Sequence, residues 1–518
     1  MKNTIKLIIC TSLIAIGCNK KDDVTVAPEA PLTAGTANFS KYVAVGNSLT
    51  AGFSDGALFK EGQLGSWTNV LNEQFKLVGG GEFKIPFMPD NNIGGIVAGT
   101  TIIQNPRVFW NGSGVSPAGF PTSQLTDRAA GSGFNNMGVP GAKVFHLIAP
   151  NYASANPYFA RFATSGTARV IDDATAQNAT FFSCWIGNND VLSYATSGGT
   201  GTNQTGNINP ATYGQNDITD PNVFANAYNT IINGTTAPFT KGLASDGAKG
   251  VVCNIPYVTS VPFFTTVSPT AIPALPAANA TQLNQLFGAI NQIAAAGSLP
   301  ARFSTLTVDD GNAATVEANN PVLIFDKSLA DLGPTIAAAL TPSLGAPTAG
   351  YVASIYGRAR HAKATPGNRD YILLTTGAIL RQGSNIRATA IAPFNVNGIS
   401  YPLQDSEVLT ISETSAVKTA TDAYNVTIKS IAMAKGLAFV DTNFILSQVA
   451  NGGISANGYT ITSTYPAGGA FSLDGVHPCA RGYALIANKV MEAINATYGS
   501  NLKSVDVTKY RVQYPRTF

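Results

Sequence analysis

Five short, mostly apolar runs punctuate the chain, at 41–46, 134–139, 179–186, 250–255 and 437–441. Runs of this length, bounded by glycine, asparagine or proline, read as strands of a parallel sheet covered on both faces. Between them apolar residues recur at helical spacing over 64–71, 156–163, 168–177, 223–243, 419–435 and 482–498. This alternation predicts a doubly wound α/β domain with a five-stranded, mostly parallel sheet between helical layers. Such a domain gathers functional groups at the carboxyl ends of its strands. The stretches 76–103 and 105–132 are rich in glycine and proline and read as loop. After Val258 the alternation lapses. A helix at 282–296 is followed by a region with two strand-like runs, 320–325 and 370–376, set among Gly, Ala and Pro. The reading is therefore a domain in two parts, 39–297 and 399–518, interrupted by an insertion or cap subdomain at 298–398.

Composition narrows the class. The chain has 518 residues, ample for a large core. Only 12% are charged, against about 25% in an average domain. The 32 basic and 29 acidic residues are thinly spread and show no basic stripe with interleaved aromatics, which argues against a nucleic-acid partner. The densest basic patch, at 357–363, reads as a solvated loop. Phe263-Phe264 reads as core packing, with the wall of an acyl pocket as the alternative.

At the N-terminus, Lys2 and Lys6 precede an apolar run at 7–16 that is too short to span a bilayer. It ends at Ala15-Ile16-Gly17-Cys18, which resembles a bacterial lipoprotein signal and implies lipidation of Cys18. Asn19-Lys20-Lys21-Asp22-Asp23 resembles the tag of Bacteroidota lipoproteins carried to the outer cell surface. Residues 1–18 are thus expected to be a signal segment and 19–38 a flexible tether. The resemblance implies an outer-membrane lipoprotein of the cell envelope, exposed at the surface and touching the membrane through its lipid anchor only. Cys184, Cys253 and Cys479 fit no zinc spacing. The first two read as buried core residues, and a bridge from Cys479 to either is left open.

Two distant segments carry candidate chemistry. Gly46-Asn47-Ser48-Leu49 follows the first strand, and Gly46 and Gly52 permit a tight turn that exposes the Ser48 hydroxyl. Asp474-Gly475-Val476-His477 sets an acid three residues before a histidine. A local turn there can bring the carboxylate to the imidazole Nδ1 and leave Nε2 for Ser48. Of the other histidines, His146 reads as a packed residue and His361 falls in the basic patch. No glycine stands two residues after Ser48, so the run does not read as the nucleophile elbow of α/β-hydrolases.

Two further blocks lie between these segments, Gly138-Val139-Pro140-Gly141 and Gly187-Asn188-Asn189-Asp190. The four blocks in this order resemble the SGNH hydrolases, also called GDSL esterases and lipases, over 41–257 and 400–497. The resemblance implies a three-layer α/β/α sandwich of flavodoxin-like type. It implies Ser48 as nucleophile, His477 as base and Asp474 as its orienting acid. The oxyanion donors would be the amides of Ser48 and Gly141 and the side chain of Asn189. Gly46, Asn47 and Asp190 would support the site, with no metal or other cofactor. Asn47 stands where the family has aspartate; that position carries no proton in the family mechanism, and an amide still accepts and donates locally. The reaction implied is two-step hydrolysis of a carboxylic ester, the acyl ester of a lipid or an acetylated carbohydrate. The alternative is a catalytically inactive SGNH-like lipoprotein that binds ligands at the surface.

Overall fold

A computed structural model describes residues 31–235, 241–383 and 390–518. Cys18, the signal segment and most of the expected tether lie outside the described residues. The first described segment is held in place: the Thr36 amide donates to the Tyr498 carbonyl at 2.8 Å. Among the described residues no helix is long and apolar enough to cross a membrane.

The five apolar runs form one sheet of strands β1 (Tyr42–Gly46), β2 (Asn136–Gly138), β3 (Phe181–Trp185), β4 (Lys249–Cys253) and β5 (Ala438–Val440). Their order is β5-β4-β3-β1-β2, and every neighbouring pair is parallel. Because side chains alternate along a strand, the strands β1, β3 and β4 feed two cores. Tyr42, Ala44, Phe181, Val251 and Cys253 pack with the helices Trp67–Lys76 and Ala480–Tyr498. Val43, Val45, Phe182, Cys184 and Val252 pack with Pro221–Asn233 and Ile411–Lys435. The molecule is therefore a three-layer α/β/α sandwich, consistent with an SGNH or flavodoxin-like architecture. The strand order reverses between β1 and β3, and ligands of such sheets bind at that switch point.

The sequence pattern misjudged several element ends for local reasons. The helical run at 64–71 is two helices, Lys60–Leu64 and Trp67–Lys76. They part at Gly65-Ser66, where the Ser66 hydroxyl accepts the Asn69 amide and starts the second. The helix expected from 419 begins at Ile411, because Thr410 and Glu413 form a capping box. All three described thiols are free and buried. Cys184 and Cys253 face opposite sides of the sheet, and the Cys479 thiol donates to the Gly469 carbonyl.

A third apolar cluster is built from Ile272 through Val408 around the helices Ala277–Ala296, Gly333–Leu344 and Ala346–Tyr356. It corrects one sequence reading. The basic patch is not a solvated loop, since Arg360 and His361 are buried on the strand Ala359–His361. Arg360 lies between Asp326 and Asp370, at 2.6 Å from each. Phe264 is buried in the core, as the reading of core packing expects.

Candidate active site

The site begins where β1 ends. A side chain at Gly46 would bring its Cβ within 2.3 Å of the Trp185 carbonyl oxygen on the neighbouring strand, so only glycine lets the chain turn there. Asn47 then caps the single-turn helix Ser48–Ala51, its Oδ1 accepting the Leu49 amide at 3.0 Å. Its Nδ2 donates to the Asn188 Oδ1 at 3.3 Å, which ties the Ser48 turn to the segment after β3. An amide at position 47 therefore both accepts and donates. The turn is braced from behind by three groups that the sequence did not flag. Trp67 Nε1 donates to the Leu49 carbonyl, and Thr68 Oγ1 and Asn136 Nδ2 donate to the Thr50 carbonyl.

The C-terminal segment meets this turn across 429 positions of sequence. His477 Nε2 lies 2.9 Å from Ser48 Oγ, and His477 Nδ1 lies 2.8 Å from Asp474 Oδ2. Burial pushes the Asp474 carboxyl up, but the His477 ring and the amides of Val476 and His477 outweigh it and hold the group below its usual range. An ionised Asp474 only accepts, so Nδ1 carries the proton and Nε2 offers its lone pair to the Ser48 hydroxyl. The imidazole also packs against the Phe53 ring, with centroids 4.6 Å apart. Hydroxyl, imidazole and carboxylate are thus joined in one hydrogen-bonded chain, with Nε2 placed to accept the hydroxyl proton and the carboxylate facing the Nδ1–H.

Asp474 has a neighbour that the motifs did not reveal. Asp55 adopts a left-handed backbone, with φ of 51°, in the turn after the Ser48 helix. Its Oδ1 accepts the Leu473 amide at 2.9 Å, and its own amide donates to Ser472 Oγ. That hydroxyl donates to Asp474 Oδ1, while the Gly56 amide donates to Asp474 Oδ2 at 3.0 Å. The turn at Asp55-Gly56 is thus a clasp between the serine segment and the acid segment. Burial pushes the Asp55 carboxyl up to about 7; the Leu473 amide and Arg107 oppose this, and the Asp474 charge adds to it. No sequence signal marks Asp55, because the acid segment that it clasps lies more than four hundred residues away.

The middle blocks build the other side. Asn189 Nδ2 donates to the Ala142 carbonyl at 2.9 Å, and Asp190 Oδ2 accepts the Val144 amide at 2.9 Å. Asn156 Nδ2 donates to the Pro140 carbonyl at 2.9 Å, so the segment 140–144 is pinned at three points. Burial pushes the Asp190 carboxyl up to about 6, against the pull of Thr219, the buried Lys143 and the Val144 amide. Gly141, at the exposed tip, has φ of 80°, a conformation that favours glycine. Among the described residues neither the Ser48 amide nor the Gly141 amide donates to a protein acceptor. Asn189 shares a cavity wall with Ser48 and His477, while Gly141 stands outside that wall.

The other two histidines lie apart from this relay. His146 accepts the Lys143 amide at Nδ1 and stacks on Tyr152. His361 accepts the Ser304 amide inside the insertion. Burial lowers both rings to about 4. Among the described residues, the acidic group close enough to hold a metal is Asp309, Asp310 and Glu317, a largely exposed set in the insertion. Comparison with family models, with curated proteins and with solved structures finds no match for this chain.

Proposed function

We propose that the protein is a serine ester hydrolase that works through an acyl-enzyme on Ser48. One observation carries this reading: the hydrogen-bonded sequence Ser48–His477–Asp474, with both links under 3 Å and a tautomer that leaves the base free. In the first step Ser48 Oγ attacks the ester carbonyl and His477 Nε2 takes its proton. Asp474 stabilises the resulting imidazolium. The Ser48 and Gly141 amides and the second N–H of Asn189 are the donors for the developing oxyanion. Collapse of the intermediate releases the alcohol with the proton from His477, and water then repeats the cycle on the acyl-enzyme. The order of the four blocks, which resembles that of SGNH hydrolases, supports the same assignment independently of the geometry.

The test is chemical. A fluorophosphonate probe is expected to label Ser48 stoichiometrically, and Ser48→Ala to abolish release of acyl groups from activated esters. An unlabelled wild-type protein with no esterase activity would leave the inert surface-binding reading in its place. We further propose attachment to the cell envelope through a lipid on Cys18, on the strength of the N-terminal sequence. Fatty-acid labelling that disappears in Cys18→Ala is the expected result.

A further inference from the structure

A cavity of about 100 Å³ begins at Ser48 and His477 and runs between two helices. One wall is a single face of the helix Thr442–Ala450, formed by Thr442, Ile445, Leu446 and Val449 at positions i, i+3, i+4 and i+7. Leu485 and Ile486 of the helix Ala480–Tyr498 contribute to the wall, as do Trp185 and Leu49 near the sheet. Several polar atoms of the lining away from the reacting groups are already engaged. Trp185 Nε1 donates to the Asn254 carbonyl at 3.0 Å, and Thr442 Oγ1 bonds the same carbonyl and the Asn254 Oδ1. Asn188 Oδ1 is taken by Asn47.

These observations separate the two substrate classes. A sugar ring in this cavity would bury hydroxyls against aliphatic carbon, and an unpaired buried hydroxyl is strongly unfavourable. An acetyl group, with its single methyl, would leave part of the apolar lining uncovered. A hydrocarbon chain has no polar group to satisfy and gains with each methylene removed from water. We propose that this cavity is the acyl-chain pocket, that the substrates are esters of medium- or long-chain fatty acids, and that Ile445, Leu446 and Val449 set the accepted chain length. The inference rests on the serine-hydrolase reading, because it assigns the chain to the acyl side of Ser48.

The experiment is a series of p-nitrophenyl esters from acetate through butyrate and octanoate to dodecanoate, run beside acetylated xylan, with the full chain. For the wild type, kcat/KM is expected to climb from acetate to octanoate by at least about tenfold, each methylene contributing up to about fourfold. Val449→Phe, which fills the cavity, is expected to lower the octanoate-to-acetate ratio at least about tenfold; Leu446→Ala, which enlarges it, to move the optimum toward dodecanoate. Fluorophosphonate labelling of each variant checks that it is folded, and Ile445→Phe replaces Val449→Phe should the latter go unlabelled. A labelled wild type that prefers acetate or acetylated xylan overturns the acyl-pocket assignment and leaves the serine-hydrolase reading intact. Unchanged chain-length ratios in labelled variants overturn the role of the three side chains. An unlabelled, inert wild type overturns both readings together.

Discussion

Among the described residues the Ser48 hydroxyl bonds Nε2 of His477, and whether that nitrogen can accept its proton depends on which imidazole nitrogen is protonated. Asp474→Asn tests this directly. Its amide can donate to Nδ1, which favours the tautomer with hydrogen on Nε2, facing Ser48. The rate of acyl release is expected to fall by about 10⁴, as measured by single-turnover kinetics. Asp55 makes a different prediction. Its carboxyl titrates near 3.9 in the unfolded chain and at about 7 in the folded one, so unfolding releases a proton between those values. Its contribution is therefore greatest at low pH and declines as pH rises through that window. Asp55→Asn keeps an acceptor for the Leu473 amide and removes the titration. Denaturation from about pH 4 to about pH 8 is expected to show the variant gaining on the wild type as pH rises; a pH-independent difference would refute the assignment. Ser48, Asp474 and His477 were legible in sequence because each lies in a short local motif. Asp55 was not, because its partners are distant and its environment exists only after folding.

Among the elements, the strands were legible because continuous apolar runs reflect burial on both faces. Their limits were set by neighbours. Gly250 sits in β4 opposite Phe182 of β3, and a Cβ there would approach the Phe182 ring to 2.6 Å. Gly250→Val is therefore expected to destabilise the sheet by about 1–3 kcal/mol, although valine is the better strand former. Thermal or chemical denaturation would measure it. The segment 140–144 follows the same logic. Ala142 and Val144 anchor it in the core, and Asn156, Asn189 and Asp190 hold its backbone. Asp190→Ala removes the acceptor of the buried Val144 amide and is expected to cost about 1–3 kcal/mol. Asp190→Asn keeps an oxygen for that amide and should recover most of the loss, with turnover following the same order.

For the whole molecule, the third apolar cluster is joined to the sandwich by specific polar contacts. Asp370 receives Arg360 on both oxygens and also accepts the Ile411 amide, where the long Ile411–Lys435 helix begins. Lys327 pairs with the buried Glu413 of that same helix at 2.7 Å. Removing one partner of a buried ion pair leaves the other charge without compensation. Asp370→Ala is expected to destabilise the protein by about 3–5 kcal/mol in chemical denaturation. An effect below about 1 kcal/mol would mean that water or another group takes over the pairing. The basic patch shows why composition alone misled: a run containing Arg358, Arg360 and Lys363 looks solvated until Asp326 and Asp370 are brought to it from other segments.

The strand–helix alternation and the four blocks around Ser48 are written in residues close together along the chain, and so could be read before any fold was known. The sheet order, the clasp of Asp55 on the acid segment, the pairing of Arg360 and the apolar cavity beside Ser48 emerge from the folded chain alone. The physical reason is the range of the interactions. Turns, caps and periodic burial are properties of neighbours in sequence. A cavity wall or a buried charge pair is a property of neighbours in space, and its members meet only as the chain folds.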